Sequence, residues 1–196
     1  MTICVDALRH KEPAWRDQSG ALPSPFSHPL STCCRVAEHE GQSMPNIRIC
    51  ALERAHLPAL RGILGRVELS PSKMLQDMVW PFLERTAPHH WLVAKLAEVA
   101  GGFAYAEPKH DRRHIQPSGI TTDPEMQGRS VASALIALLE NEQRGEGGRV
   151  LLVETSSIDQ YGATRNFYHN RAFVEAACIR DFYADGKDKI VLWKQR

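Results

Sequence analysis

At 196 residues the chain suits one domain with a full hydrophobic core and is too short for two complete ones. Its 24 Lys and Arg against 23 Asp and Glu leave a formal charge of +1, which argues against nucleic acid or an anionic membrane surface as partner. No apolar run is long enough to span a bilayer and the first twenty residues lack the core of a secretory leader, so the expected location is the cytoplasm.

Residues 1 to 43 include "KEPAWRDQSGALPSPFSHPLSTCC", rich in Pro and Ser and without helical or strand period, and are expected to form a disordered extension. Met44 directly precedes the first alternating run, so a shorter chain starting there is an alternative that the mass of the natural N-terminus would decide. "NIRICAL" alternates as a strand, with Ile47, Ile49 and Ala51 on one side. "RAHLPALRGILGRV" spaces Leu57, Leu60, Ile63 and Leu64 as a helix. A second helix is expected in "SPSKMLQDMVWPFLERTAP", capped near Ser70 or Ser72 and ending near Pro81 or running irregularly to Arg85.

"WLVAKLAEVAGGFAYAEPK" reads as a hairpin around "LAEVAG" although it lacks an Asn-Gly turn. "RRHIQPSGITT" has strand composition broken by Pro117 and Gly119, which favour an edge, a bulge or a place where something else approaches the backbone. "VASALIALLENEQR" is a helix closed by "GEGG", and "RVLLVETS" reads as a strand buried on both faces. A helix through "YGATRNFYHNRAF" and a hairpin around Asp185 and Gly186 complete the order β-α-α-β-β-β-α-β-α-β-β.

The abrupt turn "DPEMQGRS" ahead of an apolar helix is the main candidate site. Free amides from Gly128 to about Ser133, the helix dipole and Arg129 would together suit a diphosphate. An ordinary loop in which Ser130 caps the helix is the competing explanation.

Gln127-Gly128-Arg129-Ser130-Val131-Ala132 resembles the phosphate turn Gln/Arg-x-x-Gly-x-Gly/Ala of the GNAT superfamily of N-acetyltransferases. The resemblance extends to Asp123-Pro124, to "LLVETS", to "NFYHNRAF" against the family's Phe-Tyr-x-x-x-Gly-Phe, and to the closing hairpin, and so spans about residues 46 to 196. It implies an α/β fold, a single GNAT domain over 44–196 with a mixed twisted sheet of six or seven strands and about four helices, and acetyl-coenzyme A as co-substrate. Ser130 and Ala172 stand where the family has Gly, and Tyr161 where it often has Asn. If position 130 takes a positive φ, Ser costs about 1 kcal/mol relative to Gly, while its hydroxyl gains access to a phosphate oxygen.

By the same resemblance the pantetheine arm would lie along Ile120, Thr121 and Thr122, the diphosphate on Gln127, Gly128, Arg129, Ser130, Val131, Ala132 and Ser133, and the oxyanion near the Thr122 amide. Tyr168 would supply a proton or hydrogen bond to the departing thiolate, although a phenol near pKa ~10 is a weaker acid than a thiol near ~8.5. Packing against Phe167 and Phe173 is its structural alternative. Glu154, after an apolar run, is a candidate general base, a site for a cationic acceptor, or a structural carboxylate.

His89, His90, His110 and His114 have no ligand spacing, so no metal is expected. Trp80, Trp91, Phe103 and Tyr105 suit an acceptor pocket or, more commonly, a core. The expected reaction is acetyl transfer to the amine of a small molecule; a silent acyl-coenzyme A-binding module and a protein or peptide acetyltransferase remain alternatives, and a homodimer is left open.

Overall fold

The structure is a computed structural model that describes residues 35–36, 46–67, 74–86, 90–109, 114–145 and 149–195. The strands are β1 (Arg35–Val36), β2 (Ile47–Ala51), β3 (His90–Leu96), β4 (Val99–Lys109), β5 (His114–Thr122), β6 (Val150–Ser156), β7 (Val174–Ala184) and β8 (Lys187–Gln195). The helices are α1 (Leu57–Val67), α2 (Met74–Leu83), α3 (Val131–Gly145) and α4 (Gly162–His169). They form one mixed sheet in the order β1-β2-β3-β4-β5-β6-β8-β7, so the last strand is inserted between β6 and β7. The α/β class and the succession of elements agree with the sequence reading. The disordered extension expected over residues 1 to 43, the cap at Ser70 or Ser72, and His89 and His110 lie outside the described residues, except that Arg35–Val36 pairs with β2 as a short strand.

Two apolar layers pack on the sheet. On one face α3 sets Val131, Leu135, Ile136 and Leu139 against Ile47, Leu92, Ala104, Ile120, Leu151 and Leu192, joined by Tyr168 and Phe173. On the other, Leu60, Ile63 and Leu64 of α1 and Leu75 and Val79 of α2 cover Trp91, Val93, Phe103 and Tyr105. Three of the four candidate pocket aromatics are therefore core, and only Trp80 remains 37% exposed, with the Arg54 guanidinium stacked on it at 4.5 Å. Burial of these side chains is the main term holding the layers together.

Several local features depart from simple patterns. α2 runs through Pro81, whose missing N–H interrupts one helical bond, and it ends where Arg85 adopts a φ of 57°. The β3–β4 turn places Ala97 and Glu98 at φ 49° and 67°, the left-handed geometry that two-residue hairpins demand even without Asn-Gly. The expectation that β6 is buried on both faces needs correction. Leu151, Val153 and Thr155 are buried, whereas Leu152 and Glu154 are only half-buried, because α1 and α2 cover β2 to β5 and leave that face of β6, β8 and β7 without a helix among the described residues.

Candidate active site

Two strands that start side by side and then part form the first half of the site. β5 and β6 pair in parallel only at His114↔Val150 and Ile115↔Leu151. β5 then stays with β4 as far as Thr122, and β6 with β8 as far as Ser156. The β6-facing edge of β5 beyond Ile115 is consequently unpaired among the described residues, which suits an extended, amide-bearing ligand adding as a strand. Ile120, Thr121 and Thr122 lie on this stretch and are all buried. Opposite Tyr105 and Ala106 stand Gly119 and Pro117, so Ser118 is the extra residue of a bulge, one of the outcomes that Pro117 and Gly119 foretold.

Gly102 of β4 lets the strands and α3 close up here. A Cβ at that position would lie 2.6 Å from the Thr121 carbonyl oxygen and 2.9 Å from Val131 Cγ1.

The chain then turns sharply. The buried Asp123 carboxylate accepts the Glu125 amide at 3.1 Å and opens a 3-10 turn over Pro124–Met126. Gln127 is extended, Gly128 takes φ 76° and Ser130 φ 63°, and α3 begins at Val131. The Ser130 carbonyl accepts the Ala134 amide at 2.9 Å, while the amides of Gly128, Val131, Ala132 and Ser133 have no protein acceptor among the described residues. Ser130 is left-handed rather than in the extended conformation of an ordinary N-cap, which removes the geometric basis of the capping explanation. Gln127, Gly128 and Arg129 are exposed.

Arg66 of α1 donates through both Nε, at 3.2 Å, and a terminal nitrogen to the Asp123 carboxylate. Burial pushes the Asp123 carboxyl up, but the Arg66 guanidinium and the Glu125 amide outweigh it and leave it below its ordinary value. The turn is thus anchored to the helix layer on the other side of the sheet.

Tyr168 is completely buried, edge-on to Phe167 at 5.2 Å and to Phe173 at 5.1 Å, as its packing alternative requires. Its hydroxyl nevertheless has no hydrogen-bond partner among the described residues, and the same holds for the buried hydroxyls of Thr121, Thr122 and Thr155 on the strands that flank the gap. Burial drives the phenol well above its ordinary pKa against a smaller opposing effect of Arg171, so it remains protonated. Glu154 alternates with Val153 and Thr155 and so lies on the opposite face of β6 from Tyr168's layer. Its carboxylate is 2.6 Å from the Lys189 ammonium, which also sits 4.5 Å from the centre of the Phe182 ring.

Arg66, Arg171 and Lys189 were absent from the sequence reading. Their partners lie in other elements far along the chain, and no periodicity marks such pairs.

The model of the acetyltransferase (GNAT) family matches residues 55–173. Among solved structures, a GNAT-family protein from Desulfovibrio desulfuricans is similar at 24% identity and a TM-score of 0.68, covering 76% of this chain and 98% of that one. The ribosomal-protein-S18-alanine N-acetyltransferase of Escherichia coli gives 21% identity and 0.62, with 76% and 93% covered. An aminoglycoside 6'-N-acetyltransferase complexed with coenzyme A gives 15% and 0.62, with 75% and 96% covered. At these identities the likeness concerns the fold. No curated protein matches the sequence.

Proposed function

We propose that this chain, which belongs to the acetyltransferase (GNAT) family, transfers an acetyl group from acetyl-coenzyme A to the primary amine of a small molecule by direct attack in a ternary complex, residues 44–196 forming the catalytic domain. The observation that carries the reading is the opening between β5 and β6 directly ahead of a helix start with free amides. Those features, and the buried hydroxyls without partners among the described residues, fit a ligand that has a diphosphate at one end and an amide-bearing arm.

When bound, acetyl-coenzyme A supplies the thioester whose acetyl carbon is attacked. Gly128 and the first amides of α3 hold the diphosphate, with Gln127, Arg129 and Ser130 around it. The edge of β5 at Ile120, Thr121 and Thr122 holds the arm straight, and the backbone near Thr122 donates to the carbonyl oxygen as negative charge develops there. Tyr168, protonated because it is buried, donates to the departing sulfur. Glu154, on the opposite face of β6 and ion-paired with Lys189, is the candidate base that receives the amine's proton, directly or through water.

A protein or peptide amine is the second reading. The face of β6, β8 and β7 that carries no helix among the described residues, with Val174 and Ile179 exposed, favours it by giving an extended acceptor room beside Glu154. A thiol-release screen of small amines and N-terminal peptides separates the readings by kcat/KM. No thiol release with any acceptor, from protein that binds acetyl-coenzyme A, would leave a silent binding module.

A further inference from the structure

Arg171, two residues beyond α4, divides its guanidinium between two helices. One terminal nitrogen donates to the Phe167 carbonyl at 3.1 Å, and the other donates to Ser133 Oγ in the first turn of α3. The guanidinium centre lies 3.7 Å from the middle of the Phe167 ring. An arginine at a helix C-terminus commonly binds the last carbonyls, which accounts for the first bond. The second has no such explanation.

Charge balance does not account for it either. The positive end of the α3 dipole disfavours a cation there, and no carboxylate pairs with Arg171 among the described residues. Glu140, whose charge favours the guanidinium, is itself bonded to Lys194 at 2.9 Å. Burial accordingly lowers the guanidinium's pKa from its ordinary value. What remains is geometry, since a rigid planar fork with two fixed donors holds two elements at one separation and angle.

α4 is only eight residues long, too short to be stable on its own, and it is anchored by Tyr168 and Phe173 in the core. We propose that Arg171 is a positioning residue that locks α4, and with it the Tyr168 hydroxyl, to the first turn of the helix that receives the diphosphate. The inference rests on the acetyltransferase reading. Its consequence is that the proton donor and the coenzyme share one frame: a diphosphate seated on α3 is automatically in register with Tyr168. Ser133 then has two separate tasks, its amide facing the diphosphate and its hydroxyl holding Arg171.

The experiment compares wild type, Arg171→Met, Arg171→Lys, Ser133→Ala and the double variant Arg171→Met with Ser133→Ala, measuring kcat with a saturating acceptor and the acetyl-coenzyme A Kd by calorimetry. Loss of the strut is expected to lower kcat by roughly 10- to 100-fold through misplacement of the donor, with Kd changed less than about 2-fold. The double variant should be no worse than Arg171→Met alone, and Arg171→Lys should recover part of the rate. If Arg171→Met fails to fold, Ser133→Ala carries the test with the arginine in place. A raised Kd at constant kcat would make Arg171 a phosphate ligand and overturn the inference. Additive losses in the double variant, or unchanged rates beside an active wild type, overturn it while the acetyltransferase reading stands. A folded wild type that binds no acetyl-coenzyme A overturns that reading instead.

Discussion

Tyr168 and Ser130 both hold positions that cost stability. A buried hydroxyl without a partner among the described residues is unfavourable by about 1–3 kcal/mol, a cost that Phe would avoid while keeping the ring packing. Tyr168→Phe should lower kcat by about 100-fold with little change in acetyl-coenzyme A Kd. Because its pKa is raised, the phenol keeps its proton until the pH passes that raised value, so no alkaline loss of kcat below about pH 10 should come from it. An alkaline limb near neutrality that disappears in Tyr168→Phe would show that Tyr168 ionises in the working range. Ser130 and Ala172 take φ 63° and 61°, conformations that suit glycine. Ser130→Gly and Ala172→Gly should each stabilise by about 1 kcal/mol, raising Tm by roughly 2–4 °C. Unchanged or lower Tm in both would show that the native side chains offset the strain with contacts of their own.

At the scale of elements the site depends on α1, α3 and β4 meeting around one turn. Arg66 spans from α1 to Asp123, and removing one partner by Asp123→Asn should cost about 1–2 kcal/mol near neutral pH, less than for a fully buried pair because Arg66 is half exposed. The Asp123 pKa is depressed by folding, so its contribution is complete above the unfolded value and fades as pH falls through the folded one. Urea unfolding should therefore separate wild type and Asp123→Asn at pH 7 and bring them together in acid; an equal gap at both pH values would contradict the ion-pair account. Gly102→Ala should weaken acetyl-coenzyme A binding and cost about 1–3 kcal/mol, because the added methyl meets the Thr121 carbonyl and Val131 rather than flexible side chains. Unchanged calorimetric Kd and Tm would show that β5 can yield. Elements of this kind were readable where a period or a turn signal was local: the helical spacing of Leu60, Ile63 and Leu64, the Asp123-Pro124 start and the Gly186 hairpin all reappear in place. The half-exposure of β6 was not readable, because an apolar run is the same whether or not a second helix layer reaches it.

For the whole molecule, the sheet order decides where the gap opens. Inserting β8 between β6 and β7 draws β6 away with a full antiparallel ladder, while β4 holds β5, and the two strands part after their first paired residues. Sequence pattern predicts the strands but not this partner exchange, which arises from pairing between distant segments. It is also silent on Arg66–Asp123, Arg171–Ser133 and Glu154–Lys189, where charged or polar partners meet only once the layers have assembled. The abrupt turn ahead of the helix was legible because its signal lies in consecutive residues, Asp123 to Ser130, and Ser130 takes the positive φ that the sequence left conditional. The most direct measurement is calorimetric titration of the folded full chain with acetyl-coenzyme A, run beside pantetheine, which lacks the diphosphate. The account predicts one saturable site per chain for acetyl-coenzyme A and binding weakened by at least about tenfold for pantetheine, since diphosphate contacts at the start of α3 supply much of the affinity. Equal binding of the two, or no heat from either, would contradict the assignment of residues 127–133 as the diphosphate site.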